Sequence, residues 1–556
     1  MAPIAATDSS ATGRVLSVRQ SLFAMLGLCF VVMMVAIDQT VVGMALPTIV
    51  AELNGFELYA WVGTSYLLTS VIMVPIFGRL GDYYGRRHFV IAAIVVFGAA
   101  SALCGFSNSM MQLVLARALQ GIGGGMLVGT AFACIPDLFP EPRVRLRWQV
   151  LFSSAYGLAN AIGPTLGGVL THYAGWRSVF FVNLPISILG LWFISKYLPR
   201  IRHMQHGNIH LDWQGAILIA AGLSGLQLFV EFLPTPNMGS MAALAGAGSV
   251  VMFVALYFWE RHCVDPLLPL DMFRNKSLSA LFGLSTLLGF AMFAILFYVP
   301  LLLQGGFGQT PQAAGVLITP LVFCITVASI FNSRILVRLP NPNIMLYLGF
   351  VLLFISCAGL VVISRSTNVW VMAGILVVGG LGLGFVVPNL TVFGQEIAGR
   401  GQLGIATALL QSTRMIGGML GMAIVGSLVN HYYVQHVKQV VSTHSPGAWA
   451  GMLEDPQILM NAADQQKFTG LLHGLGLDGA ALIDAARASM VSSIHLGMVL
   501  VLLVVVAASF WVRGVEPVRF NRAPGGAKPA AGPAAGTEAV AESSAASPGG
   551  DRQEAR

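Results

Sequence analysis

The sequence predicts an all-α polytopic membrane protein of fourteen spans: two six-helix bundles plus two inserted central helices. The chain of 556 residues is 56% hydrophobic and 10% charged, whereas soluble domains average about 25% charged residues. Apolar segments of spanning length recur near 20–45, 58–78, 88–107, 110–133, 148–171, 178–198, 213–233, 240–259, 278–303, 313–336, 344–364, 368–392, 403–430 and 491–513. Each is close to the ~20 residues that cross a bilayer as a helix and too long for a barrel strand. The connections between spans divide them six, two and six. Secondary transporters are often built from two such halves.

Charge placement orients the spans. The net charge is +7 and the pI about 9.2. Only Arg117 and Arg414 lie deep in spans. Arg177, Arg365, Lys438, Lys467 and Arg487 lie on the face opposite the amino terminus, and the other 23 Lys and Arg on its own face. The positive-inside rule then puts both termini in the cytoplasm. The basic pI reflects this topology, so a nucleic-acid partner is not implied. The six cysteines are scattered and mostly within spans, with no metal or disulfide spacing. No cofactor is implied. The first apolar run is too long for a signal-peptide core and reads as a retained helix.

Taken in order, residues 1–19 form a loose cytoplasmic tail and 20–200 the first bundle. Residues 201–276 are a linker carrying the two inserted spans, and 277–513 the second bundle. The stretch 431–490 reads as one long external loop, with a short amphipathic helix near 479–490. Residues 514–556 form a second cytoplasmic tail. Its Ala, Pro, Gly, Ser and Glu cannot bury a core, so disorder is expected.

Span 1 holds Asp38, the only charged residue in LCFVVMMVAIDQTVVGMALP (28–47). An ionised acid there costs at least ~2.5–3.5 kcal/mol and is a functional candidate by default. The alternative is a wet residue at the outer end of its helix. Span 4 begins with RALQGIGGG (117–125), where Arg117 is equally costly. Helix rise puts Asp38 ~25 Å from the inner end of span 1 and Arg117 ~10 Å from the outer end of span 4. The two therefore share a depth, and a polar path through Arg117, Gln120, Gln39 and Asp38 becomes geometrically open. Arg117 as a plain structural tie is the alternative. Gly121, Gly123, Gly124 and Gly125 allow close helix approach.

The loop GRLGDYYGRR (78–87) has glycines for a tight turn and an acid, Asp82, among Arg79, Arg86 and Arg87. A charge network formed in only one arrangement would act as a latch; an ordinary positive-inside turn is the alternative. Gly78, Leu80, Asp82, Gly85, Arg86 and Arg87 resemble the signature of the major facilitator superfamily, and Tyr83 departs from it. The Arg117 stretch resembles that superfamily's second motif, whose arginine is implicated in proton transfer. In span 5, Gly163-Pro164 followed by Gly167-Gly168 resembles its antiporter signature, a hinge in which Pro164 removes a hydrogen bond.

The stretch IDQTVVGMALP (37–47) resembles the first-helix motif of the fourteen-span drug:proton antiporters of the EmrB/QacA type. Gly43 stands where that motif has an Asn, and so removes an amide expected near the acid. WRSVFFVNLP (176–185), YVPLLLQ (298–304), GVLITP (315–320) and QSTRMIGGMLG (411–421) extend the likeness to span 13. In the second half, Arg414 lies at mid-membrane, where it would contact an anionic substrate or balance a carboxylate, with packing or carbonyl capping as the alternative, and Pro388-Asn389 is expected to break span 12.

The resemblance implies a proton-coupled exporter of small amphipathic drugs, working by alternating access in a bacterial-type cytoplasmic membrane. Asp38 and Arg117 would couple protons, and Gln39, Gln120 and Arg414 would face the substrate. Trp61, Tyr66 and Phe293 would be either cavity liners or helix packing. The expected partners are drugs or metabolites, protons, the lipid bilayer and, through the 431–490 loop, a periplasmic adaptor protein. A dedicated exporter of one metabolite or antibiotic is the nearest alternative. An intramembrane enzyme or sensor is the remote one, since the spans offer no convergent nucleophile–base pair.

Overall fold

The computed structural model describes residues 18–131, 134–139, 142–199, 212–233, 238–263, 266–268, 270–336, 339–398, 403–442, 449–473 and 477–516. Side chains at 18, 79, 82–83, 136–137, 142–147, 149–150, 153–154, 333 and 403–404 are outside that description. The two expected tails, the centre of the expected linker and the Asp82 latch therefore lie largely outside the described residues.

Among the described residues the chain is helical, without strands. Its long helices are α1 (Val18–Leu53), α2 (Tyr59–Tyr84), α3 (Arg86–Gly105), α4 (Met110–Ala131), α5 (Pro142–Ala174), α6 (Asn183–Tyr197), α7 (Trp213–Phe232), α8 (Gly239–Glu260), α9 (Lys276–Leu301), α10 (Pro311–Leu336), α11 (Ile344–Val362), α12 (Val369–Ala398), α13 (Leu403–Ser442) and α14 (Gly479–Trp511). Thirteen are long and apolar enough to cross a membrane, α6 being counted with the short helix before it. The other, α5, opens with Arg143, Arg145 and Arg147, which lower its mean hydropathy.

Helices α1–α6 pack among themselves, and so do α9–α14; α7 and α8 pack chiefly on each other, touching α2 and α13 more lightly. The inserted pair is tied at one end by Asp212, which caps α7 by accepting from Gly215 N at 2.7 Å and also accepts from Trp259 Nε1 of α8 at 2.7 Å. Two seams join the halves, α5 against α10 and α2 against α13.

The seams are close because glycine lines them. A Cβ at Gly168 would stand 2.5 Å from the carbonyl oxygen of Pro311, and one at Gly315 would stand 2.4 Å from that of Pro164. Several hydrogen bonds cross between halves: Thr326 Oγ1 to Gly157 O at 3.0 Å, Tyr59 OH to Phe297 O at 2.8 Å, Gln304 Nε2 to Met44 O at 2.9 Å, and Thr165 with Thr319 at 2.6 Å. Three of the four lie toward the end of the bundle that carries Leu53, and the Thr326–Gly157 bond lies near the middle of its two helices. On that face the chain between α13 and α14 adds a strap. Gln457 Nε2 donates to Asn54 and, at 3.4 Å, to Ala51 O; Asn461 Nδ2 donates to Ala51 O at 3.3 Å.

Two expectations are corrected. Residues 431–490 are not one loop: α13 runs on to Ser442, and the helix expected near 479–490 is present as the start of α14 rather than a separate element. Hydropathy marks where a helix leaves the bilayer, not where it stops. The start of α14 is set by Asp478, whose carboxylate accepts from Ala480 N and Ala481 N, an ordinary N-cap. Nor does Pro388-Asn389 break α12, which is continuous from Val369 to Ala398. The Asn389 side chain instead exchanges two hydrogen bonds with Asn332 of α10, at 2.8 and 3.1 Å.

Candidate functional site

The glycine run of α4 comes first, because it sets how near α4 lies to its neighbours. A Cβ at Gly121 would be 2.3 Å from the carbonyl oxygen of Tyr66, one at Gly125 would be 2.6 Å from that of Ser70, and one at Gly123 would be 2.7 Å from Phe97 N. So α4 touches α2 and α3 backbone to backbone. Ser70 Oγ and Thr69 Oγ1 close the α2 contact by donating to Gly121 O and Ala118 O, both at 2.8 Å.

This approach delivers Arg117 to the bundle core. Its Nε donates to Val62 O at 3.2 Å, and its guanidinium lies 4.4 Å from the centre of the Tyr66 ring, a cation–π contact. Its Nη1 reaches Asp38 Oδ2 at 2.7 Å and Gln120 Oε1 at 2.6 Å. The other carboxylate oxygen, Oδ1, accepts from Gln120 Nε2 at 2.7 Å and from Asn183 Nδ2 at 3.1 Å. Ser101 of α3 accepts from Asn183 at 3.0 Å and from Gln120 at 3.3 Å, and itself donates to Phe180 O at 2.9 Å. Five helices, α1–α4 and α6, thus enclose one ion pair, and Asp38, Gln120, Asn183 and Ser101 are each fully buried. Removing either partner of such a pair leaves a charge stranded.

The structure brings together Asp38, Arg117 and Gln120. It does not bring Gln39 to them. One residue further round α1, Gln39 faces α5 and accepts from Tyr156 OH at 3.5 Å. Gln120, expected to face substrate, is locked into the ion pair with no exposed surface. The amide that seemed missing at Gly43 is supplied by Asn183 and Gln120. Gly43 points at the second half, where a Cβ would stand 3.2 Å from Leu296 O. Asn183 and Ser101 were missed, although Asn183 lies in WRSVFFVNLP and was readable as an amide inside an apolar span.

Tyr66 and Phe293 are buried packing residues, whereas Trp61 is half-buried. Tyr66 lies on Arg117, Phe293 is buried against Gly418 of α13, and Trp61 meets Glu231 of the inserted α7. Asn183→Leu is expected to lower stability by about 1–2 kcal/mol, the upper range for intramembrane hydrogen bonds. A thermal transition equal to that of the parent protein would contradict it.

The remaining motif positions sit at the seams and turns. Gly85 alone separates α2 from α3 and adopts φ 92°, where a Cβ is strained. Gly78 lies against Gly129, a Cβ there standing 3.6 Å from its carbonyl oxygen. Arg86 opens α3, and Arg87 donates to Ser195 O of α6. On α5, Cβ atoms at Gly163 and Gly167 would stand 1.8 Å from Thr40 Oγ1 and 2.9 Å from Val41 O, both on α1. With Gly168 facing Pro311, the 163–168 motif packs α5 against α1 and α10 together. The helix runs on unbroken through Pro164. Arg414 lies at mid-depth on α13, half-buried, and donates to Gln411.

Comparison with known proteins agrees with this architecture. The family model described as Major Facilitator Superfamily matches residues 28–422. The multidrug transporter protein MdtP of Bacillus subtilis (strain 168) is 33% identical over 407 residues, 73% of this chain and 74% of the relative. Multidrug resistance protein 3 of the same organism is 29% identical over 88% of this chain and 94% of its own length. The tetracenomycin C resistance and export protein of Streptomyces glaucescens is 30% identical over 72% and 74%. The crystal structure of a bacterial homologue of the human lysosomal transporter Spinster, inward-facing and unoccupied, superposes with a TM-score of 0.64. It covers 90% of this chain and 98% of that one at 15% identity, a likeness of fold.

Proposed function

The chain belongs to the major facilitator superfamily, and from that premise we propose that it is a proton-coupled exporter of small amphipathic drugs. The observation that carries this reading is the sealed carboxylate of Asp38 on its Arg117 partner. An acid held at membrane depth, in a transporter whose relatives are named for drug transport and resistance, is suited to carry the driving proton.

In this reading the amino-terminal face is cytoplasmic, as its excess of Lys and Arg requires. The seam contacts toward the Leu53 end are read as the outer gate of the transport cycle. Rocking of one half against the other reverses access. Asp38 takes a proton in the outward-open state and releases it inward, where Arg117 favours the carboxylate. Drug and proton exchange in that inward state. The host membrane is a bacterial-type cytoplasmic membrane. Any periplasmic adaptor meets the strap between α13 and α14, which is the segment that rises above the outer face.

Proteoliposomes with an imposed pH gradient test the proposal across a panel of unrelated dyes and antibiotics. Gradient-driven movement of several of them, abolished by a protonophore, is the expected result. Movement indifferent to the gradient sinks proton coupling. A second reading is favoured by relatives named for single antibiotics, such as the tetracenomycin C exporter. In that case one compound of the panel would move and the others would not.

A further inference from the structure

Arg414 is a cation placed deep in the second half. It lies in α13, near the middle of the membrane stretch. Among the described residues its hydrogen-bond partner is Gln411, one turn away, and no carboxylate pairs with it. The sequence supplies none nearby: the six spans of the second half contain neither Asp nor Glu. The backbone is pinned at this point, since a Cβ on Gly289 of α9 would stand 2.0 Å from Arg414 O. The guanidinium is therefore the part free to project.

Across the gap between the halves, Tyr156 of α5 lies within electrostatic reach of Arg414 and donates from its hydroxyl to Gln39 of α1. Gln39, Tyr156, Gln411 and Arg414 are all half-buried. One positive charge is thus flanked by uncharged polar groups from both halves, Gln411 on its own helix and Tyr156, linked to Gln39, on the other side. Asp38 cannot neutralise that charge, because Arg117, Gln120 and Asn183 already occupy both of its oxygens. A membrane-embedded cation is costly, and such residues pair with something. A guanidinium suits planar, bidentate oxyanions better than an ammonium does.

We propose that Arg414 is the substrate-recognising cation between the two halves, and that the favoured substrates are amphipathic anions. A carboxylate, phenolate or sulfonate of the substrate sits on the Arg414 guanidinium, while its apolar body lies against the surrounding helices. Organic dications are disfavoured by the same charge. This rests on the reading of the chain as a drug exporter and narrows its substrate class.

Equilibrium binding to the full chain in nanodiscs tests it without any gradient. Fluorescein and rhodamine 6G share a xanthene body but carry opposite charge. The parent protein should prefer fluorescein by about tenfold or more. Arg414→Gln should erase that preference by weakening fluorescein alone, and rhodamine 6G binding reports that the variant is folded. Arg414→Lys should fall between, keeping the charge and losing the fork. Should Arg414→Gln not fold, Arg414→Lys must still weaken fluorescein more than rhodamine 6G. No preference in the parent protein, or equal loss of both dyes in the folded variants, overturns the assignment. Failure of the exporter reading shows elsewhere, as the absence of gradient-driven dye movement, and leaves this binding selectivity intact.

Discussion

Asp38→Asn is expected to reduce proton-driven efflux to the level of protein-free liposomes while the protein still inserts and folds. The substitution keeps the size of the side chain and removes its titratable proton. It also turns an NH2 group or a neutral oxygen toward Arg117 Nη1, which now donates to Asp38 Oδ2 at 2.7 Å. The buried guanidinium loses its counter-charge, which costs about 3–5 kcal/mol. Stability and coupling must therefore be read apart. Adding Arg117→Gln to Asp38→Asn should restore most of the thermal stability and none of the gradient-driven transport. Full efflux in Asp38→Asn would remove Asp38 from the coupling step. Protonation also demands an acceptor for the new hydroxyl. Asn183 Oδ1 is buried and without a hydrogen-bond partner, so a turned Asn183 amide can accept from the acid form.

Gly168→Val should have a comparable effect by a mechanical route. The position faces the other half, and even a Cβ would stand 2.5 Å from Pro311 O. Backbone cannot yield as a flexible side chain does. The α5–α10 seam would be wedged apart toward the Leu53 end and the protein held away from its present closed arrangement. Efflux should fall at least about tenfold, and proteoliposomes should lose an imposed pH gradient faster. Gly315→Val, which meets Pro164 O at 2.4 Å, should behave alike. Gly374→Ala is the control, because nothing lies within 4 Å of its Cβ. Normal efflux and a tight gradient in both valine variants would show that this seam is not the outer seal.

The pairing of Asp38 with Arg117 was legible because two rare charges in apolar spans can be compared by helix rise alone. The helices themselves were legible for the same reason, since hydropathy reports burial in lipid. What it does not report is helix continuing into water, and so the polar end of α13 read as loop and the start of α14 as a separate short helix. The partners of Asn183 and Ser101 were illegible for a different reason. Small polar residues are common in membrane helices, and nothing in their spacing says which neighbour they meet. Gly43 misled because a sequence position carries no direction: five residues along α1 from Asp38, it lies about 140° round the helix, against the other half.

The ion pair in the first half has an electrical consequence. Arg117 stays charged throughout, so the Asp38–Arg117 couple is neutral when Asp38 is ionised and carries one net positive charge when it is protonated. In the proposed cycle that charge stands part-way across the bilayer, inside a bundle that rocks against the other half. A full crossing of one charge is worth about 2.3 kcal/mol per 100 mV, and a partial displacement gives a proportionate share. The proposed cycle therefore predicts that the inward swing of the protonated first half quickens as the cell interior becomes more negative.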